Sequence, residues 1–361
     1  MRFLSIKKIA KEAGVSTATV SRVLNNPGYK CSSEELRERI WKIARELNYM
    51  PNEAARNLKK GITDTSQKVW YLDVLMTRTG NLETDPFFSE LLRVIESEIH
   101  RQGCILMHIF HQPLFSNDRK CRTENIDKVI AQMEPDGDIR SDGLIIIGKC
   151  NDNVLKKLSA KYKSIVSVNR NSTNYLVDEV ICDGKRIAAL AVEYLIGLGH
   201  RKIGYVGDCH NESRYKGYQD TLFQYGIDID ISFVIEAEHT EAEGYAVMER
   251  LIQRGDAPTA IYCANDMIAI GMLKCLNKYK NRYYVPSIIS SDDIEEAQYT
   301  RPMLTTVRLP KEEMGKFALY LLIDRLGGGH KGIVRTELEG KLMIRESCTL
   351  VENANRMEYY I

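Results

Sequence analysis

Apolar residues in the first sixty positions recur at helical spacing. Ile6, Ile9, Ala10 and Ala13 fall on one face of a helix that Ser5 can cap and Gly14 ends. Val15 follows as a turn residue. Ser16 then caps a second helix with the apolar face Val20, Val23 and Leu24, which Asn25-Asn26-Pro27-Gly28 stops. A third helix opens at Ser32-Ser33-Glu34-Glu35, a capping-box pattern, and carries Leu36, Ile40, Ile43, Ala44 and Leu47. Two short helices across a tight turn, backed by a third, predict a helix-turn-helix. The spacing alone suits equally a small helical bundle with no nucleic-acid role.

Beyond a polar linker at 63–68 the pattern changes. Apolar runs of strand length, at 69–75, 104–110, 143–147, 164–168, 202–206, 233–237, 260–263 and 287–290, alternate with helical patterns at 88–101, 126–132, 184–197, 212–225, 242–254 and 265–276. Such alternation predicts parallel sheets flanked by helices. Two sheets suit the count better than one, which puts a ligand cleft between two lobes, at the C-terminal ends of the strands. A chain of 361 residues has room for two or three such domains.

Charge is divided unevenly between the two parts. Residues 1–61 hold thirteen Lys and Arg against six Glu and no Asp, while the remainder holds 37 against 43, so a basic head sits on a mildly acidic body. Such a head favours a polyanionic partner. On the second helix the positions facing away from its apolar side are Thr17, Ala18, Ser21 and Arg22, small residues followed by a guanidinium one turn later. A helix end of that shape enters a major groove. Arg22 then pairs with a guanine edge, Thr17 and Ala18 meet a thymine methyl or a base edge, and Ser21 or Thr19 meets phosphate.

Other chemistry is sparse. The nine cysteines form no CxxC pair, as expected of reduced thiols, and no apolar run has the length of a leader or a membrane span, so a soluble cytoplasmic protein without a membrane partner is expected. GxSxG, Walker and HExxH patterns are lacking, so no catalytic residue, metal or cofactor is expected. His108 and His111 lie on a strand-to-loop stretch rather than one helical face, and Gly327-Gly328-Gly329 ends a helix rather than cradling phosphate.

The run Ile6-Lys7-Lys8-Ile9-Ala10-Lys11-Glu12-Ala13-Gly14-Val15-Ser16-Thr17-Ala18-Thr19-Val20-Ser21-Arg22-Val23-Leu24-Asn25, followed by Leu47-Asn48-Tyr49-Met50-Pro51-Asn52-Glu53-Ala54-Ala55-Arg56, closely resembles the LacI/GalR family of bacterial repressors. The resemblance implies that Thr17, Ala18 and Arg22, on a helix capped by Ser16, read bases. It further implies a hinge helix over 52–60, starting at Asn52, which inserts Leu58 into the minor groove with Ala55 and Lys59 beside it. Nine residues are fewer than the roughly 12–15 that an isolated helix needs in water, so such a hinge would form only when paired in a dimer and seated on DNA. Read without the resemblance, Leu58 is equally an ordinary core leucine.

The similarity continues through Leu198-Gly199-His200-Arg201-Lys202, Cys263-Ala264-Asn265-Asp266 and Pro302-Met303-Leu304-Thr305-Thr306-Val307. It implies an N-terminal all-α helix-turn-helix domain (1–61) plus an α/β two-lobed periplasmic-binding-protein-like effector domain (62–361). One lobe is expected over 68–170 and 303–331, the other over 171–302 and 332–351. By the same resemblance the pocket positions are Phe87, Asn169, Arg170, Arg214, Asn265 and Asp292, residues suited to a polyol: charged groups bond adjacent hydroxyls and Phe87 stacks on a sugar face. Ser290-Ser291-Asp292 departs from the Gly-aromatic-Asp of many members, which predicts a more polar pocket floor. The expected partners are a pseudo-palindromic operator in double-stranded DNA, a sugar or glycoside effector, and a second copy of the chain in a homodimer associated with the bacterial nucleoid. Residues 353–361 lack leucine heptads, so no tetramer-forming helix is expected. A stand-alone solute-binding protein and a metabolic enzyme with a fused DNA-binding domain are the competing classes.

Overall fold

The computed structural model describes residues 6–25, 33–46, 69–78, 85–116, 120–133, 140–169, 171–210, 212–254, 256–279 and 284–353. The chain divides into two compact units, residues 1–68 and 69–361. In the first, α1 (Ile6–Ala13), α2 (Thr17–Asn25) and α3 (Glu34–Glu46) enclose a core of Ile9, Ala10, Ala13, Val20, Val23 and Ile40. Gly14 turns the chain at φ +69°, with Val15 N donating to Ala10 O at 3.0 Å. This left-handed stop suits glycine. Ser16 Oγ accepts from Thr19 N at 3.1 Å, and Ser33 Oγ from Leu36 N at 3.2 Å, so both helices start on serine caps.

The second unit contains two six-stranded sheets. Along the chain come β1 (Tyr71–Met76), α4 (Pro86–Arg101), β2 (Ile105–His111), α5 (Lys120–Thr123), α6 (Ile126–Ala131), β3 (Gly143–Ile147), α7 (Asp152–Ser159), β4 (Ser164–Asn169) and β5 (Asp178–Ile181). Then follow α8 (Gly184–Gly197), β6 (Ile203–Gly207), α9 (Ser213–Gln224), β7 (Val234–Glu236), α10 (Glu241–Ile252), β8 (Ala260–Cys263), α11 (Asp266–Tyr279), β9 (Ser287–Asp292), β10 (Thr305–Arg308), α12 (Lys311–Leu326), β11 (Arg335–Glu337) and β12 (Lys341–Met343). The first sheet runs β11-β5-β4-β3-β1-β2, all parallel; the second runs β12-β10-β9-β8-β6-β7, with only β12 antiparallel. Central strands such as β3, buried at every position, read as unbroken apolar runs because helices cover both faces.

The lobe boundaries differ from the expectation. β5 lies in the first sheet although residues from 171 onward were assigned to the second lobe, and β10 and β11 are likewise exchanged. The chain therefore crosses between lobes near 182, 310 and 339. The reason is legible in β5: Asp178 and Glu179 disguise a strand that is fully buried. Asp178 accepts from Val334 N at 2.8 Å and is gripped by Arg325, and Glu179 accepts from Thr173 N at 2.6 Å and Ser172 Oγ at 2.8 Å. Buried carboxylates survive here because each oxygen has at least one donor. The motif histidine is likewise a structural tie, since His200 sits 2.9 Å from Thr259 Oγ1 and 3.0 Å from Thr349 O.

Helices α10 and α11 pack at backbone contact. A Cβ on Gly244 would lie 2.0 Å from Ile268 O, and one on Gly271 2.0 Å from Glu241 O. Alanine gains about 1 kcal/mol over glycine in a helix interior, but a carbonyl at that distance cannot yield without parting the helices. We expect Gly271→Val to destabilise the body by at least ~3 kcal/mol in chemical denaturation; an unchanged midpoint would show that the helix pair separates at little cost.

Candidate functional site

The described arrangement of the second unit centres on Arg214, in the first turn of α9 and 0% exposed. Its Nε donates to Glu212 Oε1 at 3.0 Å, its Nη1 to Ala264 O, and its Nη2 lies 3.5 Å from His239 Nε2. Glu212 is itself 2% exposed. Burial pushes the Glu212 carboxyl upward, but the charges of Arg214 and Arg78 outweigh this and hold it well below the usual carboxylate range. For Arg214, burial pulls downward and the charges of Glu212 and Asp292 prevail, so the guanidinium stays ionised.

Arg78, just after β1 and so in the first lobe, reaches the same group. Its Nη2 lies 3.1 Å from His239 Nδ1 and 3.7 Å from Glu212 Oε2. A network of Arg78, His239, Glu212 and Arg214 thus joins the lobes. The space left beside it is about 10 Å³, bordered by Phe87, Asn169 and Arg214 among others. That is the room of a single water, against several hundred Å³ for a ligand pocket. The side chains themselves fill this part of the cleft.

Of the sequence-expected pocket residues, Phe87, Asn169 and Arg214 converge on this space. Phe87 follows the Asp85 cap of α4, packs edge-on against Phe88 at 5.3 Å and has Lys311 Nζ 5.7 Å from its ring centre. Asn265 is one step removed: its Oδ1 accepts from Ile268 N at 3.1 Å and its Nδ2 donates to His239 O at 3.3 Å, so its amide starts α11 and positions the histidine loop. Asp292 acts on Arg214 through its charge, from a buried strand end where Asp292 and Asp293 take φ of +128° and +50°. Non-glycine residues hold such angles only when their surroundings fix them. Here Asp293 accepts from Arg308 Nε at 2.5 Å and Arg345 Nη2 at 2.6 Å. Arg170 lies outside the described residues.

Two sequence readings change. Ser290 donates to Asp266 at 2.6 Å and Ser291 lies 2.9 Å from Tyr262 OH, so both hydroxyls serve neighbours within the second lobe instead of making a polar pocket floor. The sequence does not single out Arg78, Glu212 and His239, although Arg78 lies two residues beyond the first strand and Glu212 immediately precedes Ser213-Arg214, both positions that the strand-end rule favours.

Asp266 is fully buried, accepting from Ser290 and Thr306 hydroxyls, each at 2.6 Å, and from Ile294 N at 2.8 Å. Burial, then the charge of Asp292, pushes it up to about 7. A carboxyl raised in the folded state stabilises below its ordinary value of 3.8, and that contribution is lost as the pH rises to about 7. Asn at this position keeps an acceptor for Ile294 N and offers its amide to the hydroxyls. We expect Asp266→Asn to remove this part of the decline in stability between those pH values; parallel pH profiles of the two proteins would show that Asp266 is ionised throughout.

On α2 of the first unit, Thr17 and Arg22 are exposed, whereas Thr19 is half-buried with its hydroxyl 2.9 Å from Ser16 Oγ. Ser16 and Thr19 therefore bond to one another at the helix start. Ala18 and Ser21 belong to the same helix. Asn52, Ala55, Leu58 and Lys59 lie outside the described residues. Among the described residues no helix is long and apolar enough to cross a membrane, and no group of His, Cys, Asp or Glu is placed to hold a metal. Gly327 caps the end of α12.

A helix-turn-helix unit and a body of two parallel sheets with charged residues at the strand ends together define a DNA-binding regulator with a periplasmic-binding-protein fold. Family profiles agree with this class. Bacterial regulatory proteins of the lacI family match over residues 5–52, and the periplasmic binding protein-like domain over 192–348. The chain is 31% identical over 357 residues to the HTH-type transcriptional repressor MelR of Bacillus subtilis (strain 168), covering 95% of this chain and 97% of that one. It is 29% identical over 360 residues to the HTH-type transcriptional repressor PurR of Haemophilus influenzae (strain PittEE), covering 95% and 98%. In fold it resembles a transcriptional regulator CelR–cellobiose complex (TM-score 0.64, 24% identity, 96% of this chain and 100% of that one) and the lac repressor dimer bound to operator and the anti-inducer ONPF (TM-score 0.63, 23% identity, 96% and 100%). The chain belongs to the lacI family of bacterial regulatory proteins, and is a transcriptional repressor of that family rather than an enzyme.

Proposed function

We propose that this repressor acts in the bacterial cytoplasm, as a homodimer on a pseudo-palindromic operator of carbohydrate-utilisation genes, and that a sugar-type effector in the interlobe cleft sets its operator affinity. The observation that carries the effector reading is the charge network between lobes: Arg78 from one side meets Glu212 and His239 from the other, beside Phe87, Asn169 and Arg214. A ligand that replaces those contacts changes the balance between lobe arrangements by its differential affinity for them. Related structures with cellobiose, and with ribose in a regulator from Enterococcus faecium, support a sugar. On the DNA side Thr17, Ala18 and Arg22 read base edges, Ser16, Thr19 and Ser21 hold the helix on the backbone, and a hinge from Asn52 with Ala55, Leu58 and Lys59 enters the minor groove. Arg170 completes the effector pocket.

Selection of full-length protein on a palindromic operator library, repeated with a panel of sugars, tests both halves. We expect a selected operator whose log affinity falls linearly with log salt, as counterions are released from contacted phosphates. At least one sugar should shift that affinity five-fold or more, the lower end of usual allosteric coupling. Binding indifferent to salt would reject the DNA reading, and operator affinity unmoved by any sugar would reject the effector reading.

A further inference from the structure

A second cavity of about 790 Å³ adjoins the Arg214 network and shares Lys149, Asn169 and Asn171 with it. Its walls come from both lobes: Lys149 and Lys156 follow β3, Arg335 starts β11, and Lys185 and Lys216 stand on α8 and α9 of the second sheet's side. Among the described residues five cations therefore face two carboxylates, Asp152 and Asp183. Asp183 is already committed, accepting from Lys185 N at 2.9 Å as the cap of α8. Lys185 pairs with Asp220 and Arg335 with Glu337, but among the described residues neither Lys156 nor Lys216 is in an ion pair. At the same wall Ser213, at the start of α9, donates its backbone N–H to Asn171 Oδ1 at 3.0 Å.

The lining is as telling for what it lacks. Among the described residues no aromatic ring borders this cavity to stack on a neutral sugar, and its uncharged polar groups, Asn171, Ser172, Asn174 and Ser213 among them, are small donors and acceptors. Cations supplied by both lobes, with hydroxyls and amides between them, are the chemistry that binds a multiply charged oxyanion.

We propose that the effector carries a phosphate monoester: its sugar part contacts Asn169 and Asn171, which border both spaces, and its phosphate lies between Lys156 of one lobe and Lys216 of the other. This rests on the reading of the cleft as a sugar site and names the ligand class. A dianion held from both sides favours the arrangement that brings Lys156 and Lys216 together, whereas a neutral sugar leaves those like charges apart.

The test is isothermal titration of the full chain with glucose, glucose 6-phosphate, ribose, ribose 5-phosphate and inorganic phosphate, at one fixed salt concentration. At least one sugar phosphate should bind ten-fold or more tighter than its parent sugar. In Lys156→Ala/Lys216→Ala that ratio should fall below two-fold while the thermal midpoint stays the same, because both lysines are exposed. If parent sugars bind as tightly as their phosphates, or the double variant keeps the ratio, the phosphate site is refuted and sugar control stands. If inorganic phosphate alone binds and the variant abolishes it, the anion site stands and the sugar reading fails. If none of the five binds, both fall.

Discussion

Replacing Arg214 by Ala is expected to cost the effector body about 3–5 kcal/mol and to lower its thermal midpoint by on the order of 10 °C. The loss arises because Glu212 stays behind, 2% exposed, with its 3.0 Å partner gone and Arg78 no nearer than 3.7 Å. The Ala264 carbonyl loses its donor at the same time. The pH dependence should change too. A carboxyl held below its ordinary value of 4.5 stabilises the fold above that pH and loses this contribution as the pH falls through the folded value, so the native protein should weaken in acid more steeply than the variant. Effector response should vanish with the guanidinium. Arg78→Met is the control, because Arg78 is partly exposed and its removal leaves Glu212 paired: stability should change little while effector affinity shifts. Equal and small melting changes in the two variants would mean that Arg214 is not the anchor of the network.

Arg22→Ala should have the largest effect on operator binding. One bidentate contact to a guanine edge discriminates by about 1–3 kcal/mol, and a two-fold complex uses it twice, for a total of about 2–6 kcal/mol. Competition titrations against operators altered one base pair at a time should show specificity relaxing at one symmetric pair of positions while the salt slope stays the same. Uniform weakening on every sequence, with a shallower slope, would place Arg22 on phosphate and leave base reading to Thr17 and Ala18.

The first unit was legible almost residue by residue. Its three helices close on Ile9, Val20 and Ile40, and its caps are Ser16 and Ser33, because in a short helical bundle one apolar stripe and one start signal per helix suffice. Most of the central strands were legible for a similar reason: a parallel strand covered on both faces is a run of Val and Ile. β5 was not, because Asp178 and Glu179 read as surface until Arg325, His330, Ser172 and Thr173, distant in the chain or in an adjoining loop, supply their donors. α12 was seen only by its glycine stop. β10, β11 and β12 are three- or four-residue strands, too short for an alternating pattern to show.

Local order along the chain was enough to establish a basic helix-turn-helix head and an α/β body, since each depends on periodicity or on a motif of adjacent residues; Arg214 was singled out only through the family resemblance. Folding alone settled which lobe each late strand joins, that Ser290 and Ser291 bond to Asp266 and Tyr262, and that Arg78 crosses to His239 and Glu212. Those facts depend on which charges and hydroxyls meet across more than a hundred residues of chain or between two faces of one strand. A buried ion is tolerated only where its partner arrives, and no local spacing records that meeting.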